Sequence, residues 1–160
     1  MMKTLYVLIA GVVLFFGFNY FIYHQKQADD IRVALYFPLE NENLEPIQAP
    51  VLRSLPKDTE HVEEKTLTLL LEGPKSQEVG YFSPFIHENE LSLIETYEKL
   101  EIEEGRAVLY FRKPALTYLN APAFEQLLIK ESIEKTMLQF ESINSIEYAI
   151  DGEIFDMWDA

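Results

Sequence analysis

Thr66-Leu67-Thr68-Leu69-Leu70-Leu71-Glu72-Gly73-Pro74 closes an amphipathic helix. Leucines at helical spacing supply a buried face. A glycine suited to positive φ follows the last turn, and a proline that cannot continue the helix seals it. Reading backwards, Val62, Thr66, Leu69 and Leu70 make the buried stripe, widened by Leu67 and Leu71. Lys57-Asp58-Thr59 opens the helix, with Asp58 or Thr59 as cap and Glu60, Glu63 and Glu64 near the positive end of its dipole. His61, close to that start, is expected in solvent.

Strand patterns surround this helix. Ile31, Val33, Leu35 and Phe37 alternate with more polar residues, which predicts a half-buried strand ending at Pro38. Pro46 and Pro50 bracket Ile47-Gln48-Ala49 before Val51-Leu52-Arg53, a pattern suited to an edge strand. After Gly73-Pro74, Pro84-Phe85-Ile86 reads as packed, and Leu91-Ser92-Leu93-Ile94 fits either a strand or one helical turn. Leu100 and Ile102 alternate with charges up to a hairpin turn at Glu103-Glu104-Gly105-Arg106. The return strand then places Ala107, Leu109 and Phe111 on the core face.

A second helix starts with Asn120 as cap and Pro122 in the first turn, and runs to about Phe140. Its pattern predicts burial of Phe124, Leu127, Leu128, the stem of Glu131, Met137 and Leu138. Ile146, Tyr148 and Ile150 form one face of a last strand, which Asp151-Gly152 turns into a short tail where Trp158 packs locally. The order β-β-α-β-β-α-β predicts an α+β fold, with one mixed or antiparallel sheet and both helices on one of its faces.

Ahead of this domain, Leu5 to Tyr23 is almost wholly apolar. At about 1.5 Å per residue, such a helix comes close to the roughly 30 Å thickness of a bilayer's hydrocarbon. Tyr20 and Tyr23 fall where aromatic rings favour the interface, and no small-residue cleavage pattern follows. The expected organisation is therefore a transmembrane anchor over residues 1–24, a polar stalk over 25–30 and a domain over 31–160. Lys3 and Lys26 flank the anchor on opposite sides, and the expected orientation has the N-terminus inside and the domain outside the cytoplasm.

The chain carries a net charge of −14, and from Asp29 onward 11 basic residues face 27 acidic ones. That field repels nucleic-acid phosphates and anionic lipid headgroups, which argues against nucleic-acid binding. There is no cysteine, so disulfides and thiolate metal sites are excluded. His87-Glu88-Asn89-Glu90 gathers metal-capable side chains without a recognised ligand spacing, and a polar loop is the expected reading. Glu101 and Glu103 share the outward face of a strand, where hydration is expected rather than glycoside chemistry. Neither a nucleophile–base pair nor a phosphate-cradling loop is present, and no catalytic, cofactor or metal residues are assigned. Tyr81, Tyr110 and Arg112 are candidates for an interaction surface, since tyrosine and arginine are enriched at interfaces.

Several stretches resemble the GerMN domain, the module of GerM-type sporulation and spore-germination proteins. These are Val33-Ala34-Leu35-Tyr36-Phe37, Leu70-Leu71-Glu72-Gly73-Pro74, the strand after Gly105, the long helix closing at Gln139-Phe140, and then Ile143, Ile146 and Asp151-Gly152. The similarity spans roughly Ile31 to Gly152. Where that family tends to read Val-Asp-Leu-Ser, this chain has Leu109-Tyr110-Phe111-Arg112, so the outward chemistry of that strand differs. The resemblance implies a non-enzymatic extracytoplasmic module without cofactors. It also implies similarity to ring-building domains that assemble through helix-to-sheet contacts. The partner expected is a protein or another copy of the chain; recognition of a cell-wall glycan or peptide near Tyr81 to Glu90 is the alternative.

Overall fold

Alternation from Val33 to Phe37 does what it predicts: all three odd-numbered side chains are buried in a strand, β1 (Ile31–Glu40). The computed structural model describes residues 30–40, 46–87 and 90–156. The chain divides into two units, one of residues 33–53 with 60–160 and one of 1–32 with 54–59. In the smaller unit, the N–H of Thr59 bonds the carbonyl of Pro56 at 2.9 Å, closing a turn.

The elements are β1, β2 (Pro46–Leu55), α1 (Val62–Leu71), α2 (Leu93–Thr96), β3 (Tyr97–Glu103) and β4 (Arg106–Phe111). A 3-10 turn at Lys113–Ala115 leads into α3 (Leu116–Leu119), α4 (Ala123–Met137), β5 (Ser145–Ile150) and β6 (Glu153–Phe155). The class is α+β as expected, but the strands form two sheets rather than one. β1 and β2 pair with each other, and the second sheet runs β3-β4-β5-β6. In it β4 and β5 are parallel, while β3 and β6 lie antiparallel to their neighbours.

The reason lies at the edge of β1. The N–H of Tyr36 donates to Oγ1 of Thr136, and the N–H of Ala34 donates to Oε1 of Gln139, each at 2.9 Å. Gln139 Nε2 returns a bond to the carbonyl of Ala34. Further along, Leu39 bridges Tyr81, and Phe82 donates its N–H to the carbonyl of Pro38. Side chains at and just past the end of α4 and a loop thus satisfy backbone groups that a neighbouring strand would otherwise take. Because that loop takes up the strand, β1 runs through Pro38 to Glu40 instead of stopping there.

The first helix ends as its leucines and glycine require. Gly73 takes φ +88°, and its N–H bonds the carbonyl of Leu70 at 3.0 Å. Thr66, Leu67, Leu70 and Leu71 are fully buried. Its start differs from expectation, because the cap position is His61, at φ 50°, rather than Asp58 or Thr59. His61 is exposed, as anticipated.

α4 departs most from the sequence reading. It begins after Pro122 rather than Asn120 and stops at Met137. Its buried residues are Gln126, Leu128, Ile129, Ser132, Ile133, Thr136 and Met137, whereas Phe124, Leu127 and Leu138 are exposed. Ser132 and Thr136 on the buried side are engaged, whereas Oε1 of buried Gln126 has no hydrogen-bond partner among the described residues. Besides Thr136, Ser132 donates to Oε1 of Gln48 at 3.0 Å, and Gln48 Nε2 donates to the carbonyl of Leu128 at 3.3 Å. α4 packs against α1.

In the larger sheet the expected core face holds, with Ala107, Leu109 and Phe111 fully buried. Register adds Leu100 and Tyr148 to the row of Leu109. Tyr97 lies in the row of Phe111, and its hydroxyl bonds Glu64 of α1 at 3.0 Å, which puts α1 over this face. Ile102, near the hairpin tip, is exposed. The stretch 91–94 resolves into a helical turn capped by Ser92 and Glu95. Asp151-Gly152 turns the chain into β6 rather than directly into a tail, and the place of Trp158 lies outside the described residues. No described helix is long and apolar enough to cross a membrane; the stretch Leu5 to Tyr23 lies outside the described residues.

Arg53, nearly buried in β2, makes a bidentate pair with Glu78. Glu78 also accepts the N–H of Lys75 at 2.7 Å. The guanidinium beside it holds the Glu78 carboxyl below the usual range.

Two outcomes follow. Thr136→Val conserves volume but removes the acceptor for Tyr36, so it should lower stability by about 1–3 kcal/mol, read from urea unfolding midpoints. For Glu78, a folded-state pKa below the unfolded one means that its stabilisation is complete above the unfolded value and fades as pH falls toward the folded one. Glu78→Gln should therefore flatten the acid limb of stability against pH; an unchanged limb would contradict the assignment.

Candidate functional site

The three candidate interaction residues sit in different local settings. Tyr81 sits in the loop that closes the edge of β1, half-buried, with its hydroxyl 3.5 Å from the carbonyl of Pro50. Tyr110 lies in β4 on the face opposite the core. Arg112 follows β4; its N–H bonds the carbonyl of Thr96, and its guanidinium donates to the carbonyl of Glu95. That anchorage makes Arg112 a brace for the end of α2.

Around Tyr110 the register assembles a polar surface. One cross-strand row is Lys99, Tyr110 and Ala149, continued by Ile154 of β6. The next is Glu101, Val108 and Glu147, and the third is Glu103, Arg106 and Ser145. The Lys99 ammonium lies 4.4 Å from the centre of the Tyr110 ring and 2.5 Å from Oε1 of Glu101. Arg106 reaches Glu147 at 3.4 Å. Val108 is nonetheless only 6% exposed, so the long stems around it cover an apolar centre.

These contacts show in the titration of the groups. Lys99 first, and the Tyr110 hydroxyl second, hold the Glu101 carboxyl below its ordinary range. The bond to Glu101 pushes the Tyr110 phenol up, aided by desolvation. Lys99 is likewise raised by Glu101. The alternation 99/101/103 and 106/108/110 across a two-residue turn carried this arrangement in the sequence. Glu104 at φ 51° and Gly105 at φ 84° make that turn, and a side chain at Gly105 would collide with Asn144.

Elsewhere, His87 stacks on Tyr118 with ring centres 4.4 Å apart. Its Nδ1 lies 3.5 Å from Glu90 and its Nε2 lies 3.8 Å from Glu125, so the two nitrogens face separate carboxylates. Tyr118 accepts the N–H of His87 and donates to the carbonyl of Leu91, pinning both ends of the loop. Glu88 and Asn89 lie outside the described residues. Among the described residues, no group of three or more histidine, aspartate or glutamate side chains is placed to hold a metal.

The fold and this surface can be set against known proteins. The family described as Germane, sporulation and spore germination, matches residues 34–155. The chain belongs to that family. The tandem GerMN domains of the sporulation protein GerM from Bacillus subtilis are similar in structure, with TM-score 0.57 and 20% identity over 78% of this chain. This chain spans 40% of that tandem structure. The first GerMN domain of the same protein superposes with TM-score 0.51 and 19% identity, covering 80% of this chain and 90% of that one. No curated protein matches the sequence. At these identities the likeness is one of fold, and the GerMN fold of this chain agrees with the order of strands and helices read from its sequence.

The polar row predicts a measurable titration. Tyr110 should ionise above the ordinary range near 10, and Glu101→Gln should bring it back toward that range, followed by ultraviolet absorbance or ring NMR signals. An unchanged Tyr110 titration in the variant would remove the bond from the description.

Proposed function

We propose that this GerMN-family chain is a non-catalytic protein-interaction module, held by an N-terminal membrane anchor on the extracytoplasmic side, in envelope assemblies of sporulation or germination. The observation that carries the interaction reading is the face that α4 leaves in water. Phe124 is 57% exposed, Leu127 43% and Leu138 47%. Phe124 and Leu127 lie three residues apart at the start of α4, and Leu138 caps its end on the same side, with the Lys135–Glu131 ion pair between them. Large apolar side chains grouped on an exposed helix face mark contact surfaces. The sheet face around Tyr110, with its Lys99 and Arg106 cations, offers a complementary kind of surface on the same chain.

Family membership supports the setting in sporulation and germination. The anchor reading rests on the apolar run from Leu5 to Tyr23. Confinement to a membrane plane raises effective concentration, so that a modest contact suffices for assembly. Self-association through the α4 face is the form of assembly we favour.

The test uses the full chain in membranes. A reporter active only outside the cytoplasm, fused after Ala160, should be active and remain with the membrane fraction. Crosslinking of the tethered chain should give oligomers that Phe124→Asp with Leu127→Asp reduces by about tenfold, the scale of losing one or two interface anchors. An inactive reporter would refute the location. Oligomers unaffected by the double variant, or none in the unaltered chain, would refute assembly through α4.

A further inference from the structure

β6 ends the larger sheet, with β5 on one side of it and no described strand on the other. Its hairpin turn has only two residues, Asp151 at φ 49° and Gly152 at φ 87°. In such a hairpin the flanking pair, here Ile150 and Glu153, exchanges the ladder hydrogen bonds. The next pair, Ala149 with Ile154, therefore does not, and the N–H and C=O of Ile154 point away from β5, to the side where no described strand lies.

Beside that edge lies a groove of about 470 Å³. Leu116, Ile150 and Phe155 supply its half-buried apolar lining, and Lys113, Asp151 and Glu153 supply its charges. Ile150 and Phe155 occupy core-face rows of the sheet, so the groove opens on that side, at a margin where two apolar side chains remain partly wet. Of the two carboxylates, Asp151 accepts the backbone N–H of Lys113 at 3.0 Å through one oxygen. Two carboxylates against one ammonium, in a chain of net charge −14, favour a cationic visitor.

We propose that an extended peptide of basic character adds to β6 as a further strand, placing an apolar side chain against Leu116, Ile150 and Phe155 and a basic one beside Asp151 and Glu153. Strand addition matches what the edge presents. Backbone groups of Ile154 supply hydrogen bonds, and alternate side chains of the incoming strand fall on the groove side, where the apolar lining selects them. The length of β6, three residues, limits the ladder, so the groove must supply much of the selectivity. None of Leu116, Ile150 and Phe155 belongs to α4 or to the cross-strand row of Tyr110, so this binding can fail while assembly through α4 stands, and the reverse.

The experiment uses the full chain and two fluorescent, acetylated probes, Lys-Thr-Leu-Thr-Lys-Thr and Glu-Thr-Leu-Thr-Glu-Thr, followed by anisotropy. The lysine probe should bind about tenfold or more tightly than the glutamate probe, with the preference shrinking as salt rises. Ile154→Pro removes an edge N–H that no ladder bond uses and should weaken the lysine probe about tenfold, with circular dichroism unchanged. Glu153→Lys, an exposed change, should abolish the preference between the probes. Equal binding of both probes, no binding at all, or full binding by both variants would overturn the proposal. Self-association lost in Ile154→Pro without peptide binding would overturn it in favour of a second copy of the chain at this edge.

Discussion

The backbone N–H groups of Ala34 and Tyr36 lie on the side of β1 where α4 packs, and they need acceptors. Thr136 of α4 and Gln139, two residues past its end, provide them, at 2.9 Å each. The Ala34 bond is exposed, but the Tyr36 bond is partly buried, and a donor cut off from water without a partner costs more than a made bond contributes, so Thr136 constrains the helix more than its small net energy suggests. Once Thr136 faces β1 and Ser132 faces Gln48, the rotation of α4 about its axis is set. Phe124, Leu127 and Leu138 are then carried to the outside.

The same bonds account for the division of the strands. A strand edge sealed by side chains and by the loop at Tyr81 and Phe82 has no row of open groups to offer. β3 is an outer strand of the larger sheet, and its outward positions are charged, at Lys99, Glu101 and Glu103. Its register also shifts between Tyr97 and Lys99. Charge and irregular register both discourage strand addition there. β6 has neither device along its three residues apart from Glu153, which is why the chemistry of its flanking groove matters.

Function in this chain is a property of surfaces. The outer sheet face is a lattice of alternating charge around Tyr110, and the outward side of α4 sets exposed Phe124 and Leu127 beside the Lys135–Glu131 ion pair. A surface of paired charges contributes orientation more than affinity, whereas apolar side chains removed from water supply affinity. Tyr81 and Arg112 also touch the backbone of the chain, at Pro50 and Glu95 respectively.

Local patterns determined much by themselves. Gly73-Pro74 had to end a helix, Glu104-Gly105 had to turn a hairpin, and the alternation in β1 and β4 had to choose a buried face, because each depends on backbone geometry and a period of two or 3.6. The order of the main strands and of the two longer helices between Ile31 and Gly152 was likewise legible, though the short helix Leu116–Leu119 was not. Which side of α4 is buried was misread, although Ile129, Ile133 and Met137 recur every four residues while Glu131, Glu134 and Lys135 share the side of Phe124, Leu127 and Leu138. What only the tertiary structure explains is the polar pair on that buried side, Ser132 and Thr136, whose partners Gln48 and Tyr36 lie 84 and 100 residues away in sequence. The number of sheets was hidden for the same reason: strand pairing is settled by which backbone groups other side chains have already claimed.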